Sequence, residues 1–269
     1  MRRITLGIVA GMSIASIASA ADLPRKAPVA APIAPPVYSW TGFYVGGHVG
    51  ALQTRSSGLW EPQPNIPFFG SLAIAGDLKD TGFVGGLHAG YNWQFAPSWV
   101  AGIEGDWSWT NSESSFTQPW HFIGVNFVNP TIRPNALTSM SLGFDWLATI
   151  RGRIGYLVTP TALLYFTGGG AWAGVDYTAS ANNEPPSTYV STASFSKTVS
   201  GYVLGGGLEW AFLNHWSVRA EYLFYHLNTG ANVIAPNSGP GVFVPAISSG
   251  FVWNDTDLHT VRIGGSYKF

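Results

Sequence analysis

The chain has 269 residues, of which 10% are charged and 14% aromatic, with 33 glycines and no cysteine. So little charge argues against an ordinary soluble domain, and 13 basic against 14 acidic residues with no basic patch exclude a nucleic-acid partner. Without cysteine there is neither a disulfide framework nor thiol chemistry.

The N-terminus reads as a secretory signal peptide over 1–21. Arg2 and Arg3 precede an apolar stretch from Ile4 to Ile17 and the small-x-small sequence Ala18-Ser19-Ala20. A membrane anchor would need ~20 apolar residues, more than this diluted stretch supplies. Cleavage leaves 11 basic and 14 acidic residues, a formal charge of −3. Residues 22–39 carry Pro24, Pro28, Pro32, Pro35 and Pro36 and read as an extended periplasmic leader. The remaining span, 40–269, is predicted to be one barrel domain. No later segment is long and apolar enough for a transmembrane helix, so only a closed barrel could cross a bilayer.

Eight segments alternate with the period of a β-strand. The first is 41–52. In the second, 81–95, Phe83, Leu87, Ala89, Tyr91, Trp93 and Phe95 share one face; in the third, 99–110, Trp99, Ile103, Trp107 and Trp109 oppose Glu104 and Asp106. The fourth, 144–156, sets Trp146, Ile150, Ile154 and Tyr156 against Asp145, Thr149, Arg151 and Arg153. The fifth, about 163–177, has a facing that alternation leaves open. The sixth, 199–212, sets Tyr202, Leu208, Trp210 and Phe212 against Glu209, and the seventh, 216–227, sets Trp216, Val218 and Tyr222 against Arg219 and Glu221. The eighth, 257–269, sets Val261, Ile263, Tyr267 and Phe269 against Arg262 and Lys268.

Short connections (96–98, 158–161, 213–215) alternate with long ones (53–80, 111–142, 178–197, 228–256). This predicts an all-β, eight-stranded antiparallel up-and-down transmembrane β-barrel with short periplasmic turns, long extracellular loops and both termini in the periplasm. Three-residue turns pair positions whose numbers have equal parity, so the apolar faces of strands two and three meet, as do those of six and seven. The same arithmetic sets Glu209 opposite Arg219 and His88 opposite Asp106.

Aromatics fall at both expected interfaces: Tyr91, Trp93, Phe95, Trp99, Trp210, Phe212, Trp216, Tyr267 and Phe269 on the periplasmic side, and Phe83, Trp107, Trp109, Trp146, Tyr202 and Tyr222 on the outer side. A soluble ligand-binding barrel, the alternative, would not carry such an outer belt. Ten charges are expected inside: Glu104, Asp106, Asp145, Glu209 and Glu221 with Arg151, Arg153, Arg219, Arg262 and Lys268. An eight-stranded lumen is only wide enough for side chains to fill it, so these are expected to pair across it. Inward His48 and His88 are expected to be satisfied by neighbouring acids. No Ser-His-acid spacing stands out in the Ser-rich loops, so no enzymatic activity is expected, nor any cofactor; with no Cys and no close His pair, no metal is expected either. Gly168-Gly169-Gly170 and Gly205-Gly206-Gly207 lie within strands, where they permit coiling rather than phosphate binding.

The segments WTGFYVGGHVG (40–50), GFVGGLHAGYNWQ (82–94), GIEGDWSW (102–109), WLATIRGRIGY (146–156), GGGLEWAF (205–212), VRAEYLFY (218–225) and HTVRIGGSYKF (259–269) resemble the small alphaproteobacterial outer-membrane barrels of the opacity-type porin family, which have an OmpA-like barrel. The resemblance implies a surface protein contributing to envelope integrity, with Phe269 similar to the terminal aromatic read by barrel-assembly machinery. It also implies chaperones during export and a lipid and lipopolysaccharide surround. Because the sequence closes on its last strand, no peptidoglycan-binding domain is expected. The expected function is therefore structural, with a narrow or gated diffusion channel as one alternative. A surface adhesin, or a haem-binding protein acting through its loops, is the other.

Overall fold

In the computed structural model, residues 38–63, 73–120, 136–183, 190–236, 238 and 248–269 are described. The segment 1–21 expected to be a signal peptide, and the part of the expected leader before Tyr38, lie outside the described residues. Ten strands form one antiparallel sheet: β1 Gly42–Gln63, β2 Ile74–Ala96, β3 Trp99–Trp120, β4 Ala136–Thr159, β5 Ala162–Asn183, β6 Val190–Ala211, β7 Trp216–Leu227, β8 Ala231–Pro236, β9 Ser248–Trp253 and β10 Thr256–Lys268. Pairing of β1 with β10, from Tyr44↔Lys268 to Arg55↔Asp257, closes eight of these strands into a ring. Closure leaves no strand edge bare in the bilayer, which a membrane-spanning sheet requires.

β9 prolongs β10 along β1. Arg55 pairs with Asp257 and Gly58 with Trp253, so one extra residue is absorbed at Asn254-Asp255, as in a β-bulge. The facing wall is looser. The β6–β7 ladder ends at Gly201↔Leu227, and the backbone next meets the far end of β6 at the isolated bridge Val190↔Ser238, just beyond β8.

Between the two aromatic rings the outward positions carry no charge. Ile103 and Phe166 are 64% and 71% exposed, and the outer ring includes a stacked pair, Trp107 and Trp146, with centroids 4.7 Å apart. Apolar surface this exposed is at home in lipid, and the aromatic rings mark its two interfaces.

Beyond the outer ring the pattern inverts. Segments expected as loops after the lipid-facing stretches continue as strand: β3 runs on to Trp120, β4 begins at Ala136, β5 runs to Asn183 and β6 begins at Val190. Here hydroxyls such as Thr117, Thr178 and Thr192 are exposed outside, while Met140, Leu142, Val175, Tyr177, Ala179 and Ala193 are buried inside together with a few hydroxyls, among them Ser112, Ser114, Thr138 and Ser191. Alternation with the apolar side inward is the pattern of a sheet in water, so a search for apolar-outward alternation stops at the ring. The inside of the molecule is therefore layered. Trp40, Val100, Leu157, Leu163, Tyr165 and Ala211 pack at the periplasmic end, and the large apolar cluster containing Trp60, Tyr177, Phe251 and Trp253 packs at the outer end. The charged residues lie between.

Candidate functional site

Glu104 on β3 is the hub of the charged layer. It accepts hydrogen bonds from Arg151 Nη2 and Arg219 Nη1, both at 2.5 Å, and from the Tyr44 hydroxyl at 2.7 Å, with Arg153 Nη1 3.7 Å away. Asp106, two residues on and so on the same face, accepts from Arg151 Nη2 at 3.1 Å, Arg262 Nη1 at 3.3 Å and the Thr149 hydroxyl. Glu221 accepts from Arg262 Nε at 2.6 Å, Arg151 Nη1 at 3.0 Å and the Tyr165 hydroxyl at 3.0 Å. Glu209 takes Arg153 Nη2 at 2.7 Å and the Ser217 hydroxyl at 2.7 Å. The Arg153 guanidinium also lies over the Tyr165 ring, 4.1 Å from its centroid. These four arginines and four carboxylates balance in charge, and their side chains are at most 4% exposed. Ions so desolvated are tolerable only when paired and further hydrogen-bonded. The pairing is not saturated: Nε and Nη2 of Arg219, Nη2 of Arg262 and Nε of Arg153 have no hydrogen-bond partner among the described residues.

Two of the ten charges expected inside lie elsewhere. A bulge between Phe144 and Trp146 turns Phe144 inward and leaves Asp145 exposed at the outer ring. Lys268 sits at the periplasmic rim, where Nζ donates to the Ser39 carbonyl at 2.5 Å and lies 5.0 Å from the Tyr38 ring centroid. It makes no ion pair among the described residues. The opposition of Glu209 and Arg219 holds in the ladder, as does that of His88 and Asp106, but the ion pairs run to other strands.

The histidines differ from expectation too. His48 is hydrogen-bonded to Ser108 at 2.8 Å and His88 to Ser266 at 2.9 Å, serines rather than acids, and their Nδ1 atoms face each other at 3.5 Å. Forty residues separate them in sequence, which hid the pair. No group of three His, Asp or Glu able to hold a metal occurs among the described residues. Tyr44 and Tyr165 were missed as members of the layer. Tyr44 could have been found from its parity with His48 along β1, whereas Tyr165 required the facing of β5, now fixed with odd positions inward.

The periplasmic ring is placed on the outer surface, with Trp93, Trp99, Trp210 and Trp216 exposed and Tyr91 tilted against Phe43, centroids 4.7 Å apart. Tyr267 packs edge-on to Trp216 at 5.1 Å. The outer ring's Trp107 and Trp109 are exposed as well. Phe269 is exposed, and its backbone N–H donates to the Phe43 carbonyl at 3.0 Å.

A closed antiparallel ring with an uncharged lipid-facing belt, aromatic borders and an ionic interior is an integral β-barrel of the Gram-negative outer membrane. The chain belongs to the family described as "Outer membrane protein beta-barrel domain", whose profile matches residues 8–269. It is 31% identical over 274 residues to the 31 kDa outer-membrane immunogenic protein of Brucella melitensis, covering 100% of both chains. It is 30% identical over 203 residues to a 22 kDa outer membrane protein of Rhizobium leguminosarum, covering 73% of this chain and 72% of the relative. Among solved structures, the outer membrane protease OmpT of Escherichia coli overlaps with a TM-score of 0.45 at 10% identity, covering 87% of this chain and 99% of that one.

Proposed function

We propose that the protein is a non-catalytic wall element of the outer membrane: a sealed barrel that contributes to envelope integrity rather than passing solutes. The observation that carries this reading is the stacking of the neutral ion-pair layer between two apolar layers, with Arg151 and Asp106 side chains wholly inaccessible to solvent. An ion crossing such an interior would have to break desolvated pairs and traverse apolar packing on either side. Phe269, at the end of β10, is the candidate for recognition by the assembly machinery. A host or haem ligand at the loops would involve segments such as 64–72, 121–135 and 239–247, which lie outside the described residues.

The test is single-channel recording from the refolded, heat-modifiable protein in planar bilayers. Silent membranes containing folded protein are expected, and discrete conductance steps would overturn the reading. A gated diffusion channel is the second reading. It is favoured by the unpartnered guanidinium nitrogens, which would let a carboxylate exchange between arginines; steps altered by Glu209→Gln would select it.

A further inference from the structure

Above the outer aromatic ring, four neighbouring strands present hydroxyls to the outside in register. Thr117, Ser139, Ser180 and Thr192 are successive cross-strand partners on β3, β4, β5 and β6. One step nearer the membrane, Ser115, Ser141, Thr178 and Ser194 form a second complete row. All eight are at least partly solvent-exposed. Neighbours within a row are ~4.8 Å apart and the rows ~7 Å apart, so the array is a lattice with a mesh on the scale of a sugar ring. Only one bond within it is internal, Thr117 to Ser139 at 2.8 Å. Since each hydroxyl offers one donor and two acceptors, most of the lattice's capacity is directed outward.

Strand propensity does not account for the rows: threonine favours strands, but five of the eight are serines, which have no such preference. Solubility does not account for them either, because surfaces kept soluble usually mix in about 25–35% charged residues, and neither row has any. Between the rows and the aromatic ring lie Glu113, Asp145 and Asp176, against a single exposed base among the described residues of β3–β6, Lys197, whose ladder partner Val175 is buried. This face is therefore ill-suited to phosphates and well-suited to uncharged hydroxyl-bearing ligands. It also lacks the contiguous apolar surface expected of a contact between two copies.

We propose that the β3–β6 lattice binds the sugar chain of the lipopolysaccharide surrounding the barrel, through hydrogen bonds to saccharide hydroxyls above the lipid boundary. The lattice begins at Ser115 and Ser141, six residues beyond Trp109 on β3 and five beyond Trp146 on β4, so it faces sideways into the layer above the acyl chains. The inference is independent of whether the lumen conducts, and conductance and sugar binding fail separately.

The test uses the full-length refolded protein in lipid, and compares lipopolysaccharide carrying its core sugars with a truncated form reduced to lipid A and the innermost acidic sugars. The temperature at which heat-modifiability is lost is expected to rise more with the intact form, and free neutral core oligosaccharide should compete. The near-isosteric variant Thr117→Val/Thr178→Val/Thr192→Val should keep its unfolding temperature in sugar-free lipid, which controls for folding. It should also bind the oligosaccharide at least about tenfold more weakly, from loss of several hydrogen bonds. Equal shifts with intact and truncated lipopolysaccharide would overturn the proposal. So would unchanged oligosaccharide affinity in the variant, an effect abolished by high salt, or self-association that the variant loses.

Discussion

Arg219 stands directly across the β6–β7 ladder from Glu209, yet its guanidinium bonds to Glu104 on β3, 2.5 Å away and 115 residues distant in sequence. Its nearest neighbour in register is thus not its partner, because Glu209 is taken by Arg153 from β4. Arg219–Glu104 and Arg153–Glu209 tie strands that are not neighbours, whereas Glu104–Arg151 and Glu221–Arg262 reinforce direct ladder partners on adjacent strands. Glu104 faces three arginines, so Glu104→Gln leaves buried positive charge uncompensated and is expected to cost about 3–5 kcal/mol. Glu209→Gln, with one arginine partner, is expected to cost clearly less. Urea unfolding of the refolded variants, followed by heat-modifiability, measures the order; an equal or reversed order would show that Glu104 is not the hub.

Two glycines of the wall should respond in opposite ways to the same change. A Cβ on inward-facing Gly169 would collide with the Ile150 carbonyl of the adjacent strand, whereas one on outward-facing Gly47 would meet nothing nearer than the Gly86 carbonyl at 3.5 Å. Gly169→Ala is expected to reduce sharply the fraction that refolds to the heat-modifiable form. Gly47→Ala is expected to leave it unchanged or slightly raised, since alanine loses less backbone freedom on folding.

Tyr177 lies above the lipid belt, stacked on Phe195 at 4.6 Å and edge-on to Trp253 at 5.4 Å, and its hydroxyl donates to the Thr229 carbonyl at 2.7 Å. Burial, with a smaller contribution from Asp255, raises its pKa from 10.0 to about 12. A raised pKa means that the folded form holds the proton more tightly. The associated stability is complete below pH 10 and is lost as pH rises from 10 to about 12. In Tyr177→Phe, about 1 kcal/mol should be lost at neutral pH with the hydrogen bond, and the phenolate absorbance difference between parent and variant should titrate near pH 12. A difference centred at 10 would mean that the ring is not buried.

The membrane-embedded half was legible because lipid imposes one rule on every strand. Ladder arithmetic around the 213–215 turn needs no side-chain information and gives Glu209↔Arg219, whereas His88↔Asp106 holds because a bulge between Gln94 and Ala96 offsets a turn one residue shorter than the 96–98 expected, Ala96 pairing with Trp99. Asp145 was misplaced because one bulge shifts parity for everything before it, and no residue type announces that bulge. In β5, Tyr165 and Phe166 are adjacent and similarly apolar, so hydropathy cannot say which faces in. What decides it is the Tyr165 hydroxyl, which finds Glu221 across the lumen. The partners of the charges were legible only in part: Glu104–Arg151 and Glu221–Arg262 are ladder partners on adjacent strands, but Arg219–Glu104 and Arg153–Glu209 reach non-neighbouring strands, and sequence spacing does not encode that distance.

The inversion of facing at the outer ring divides the labour of folding. Below it, lipid tails are as hospitable to leucine as a protein core is, so water does little to press the wall together there and hydrogen bonding with ionic pairing must hold it. Above it, Phe251, Trp253 and Tyr177 are driven inward by water as in any soluble protein. The cap then acts as a drawstring: its closure in water gathers the upper ends of the strands and holds in register the part of the barrel that the bilayer only surrounds.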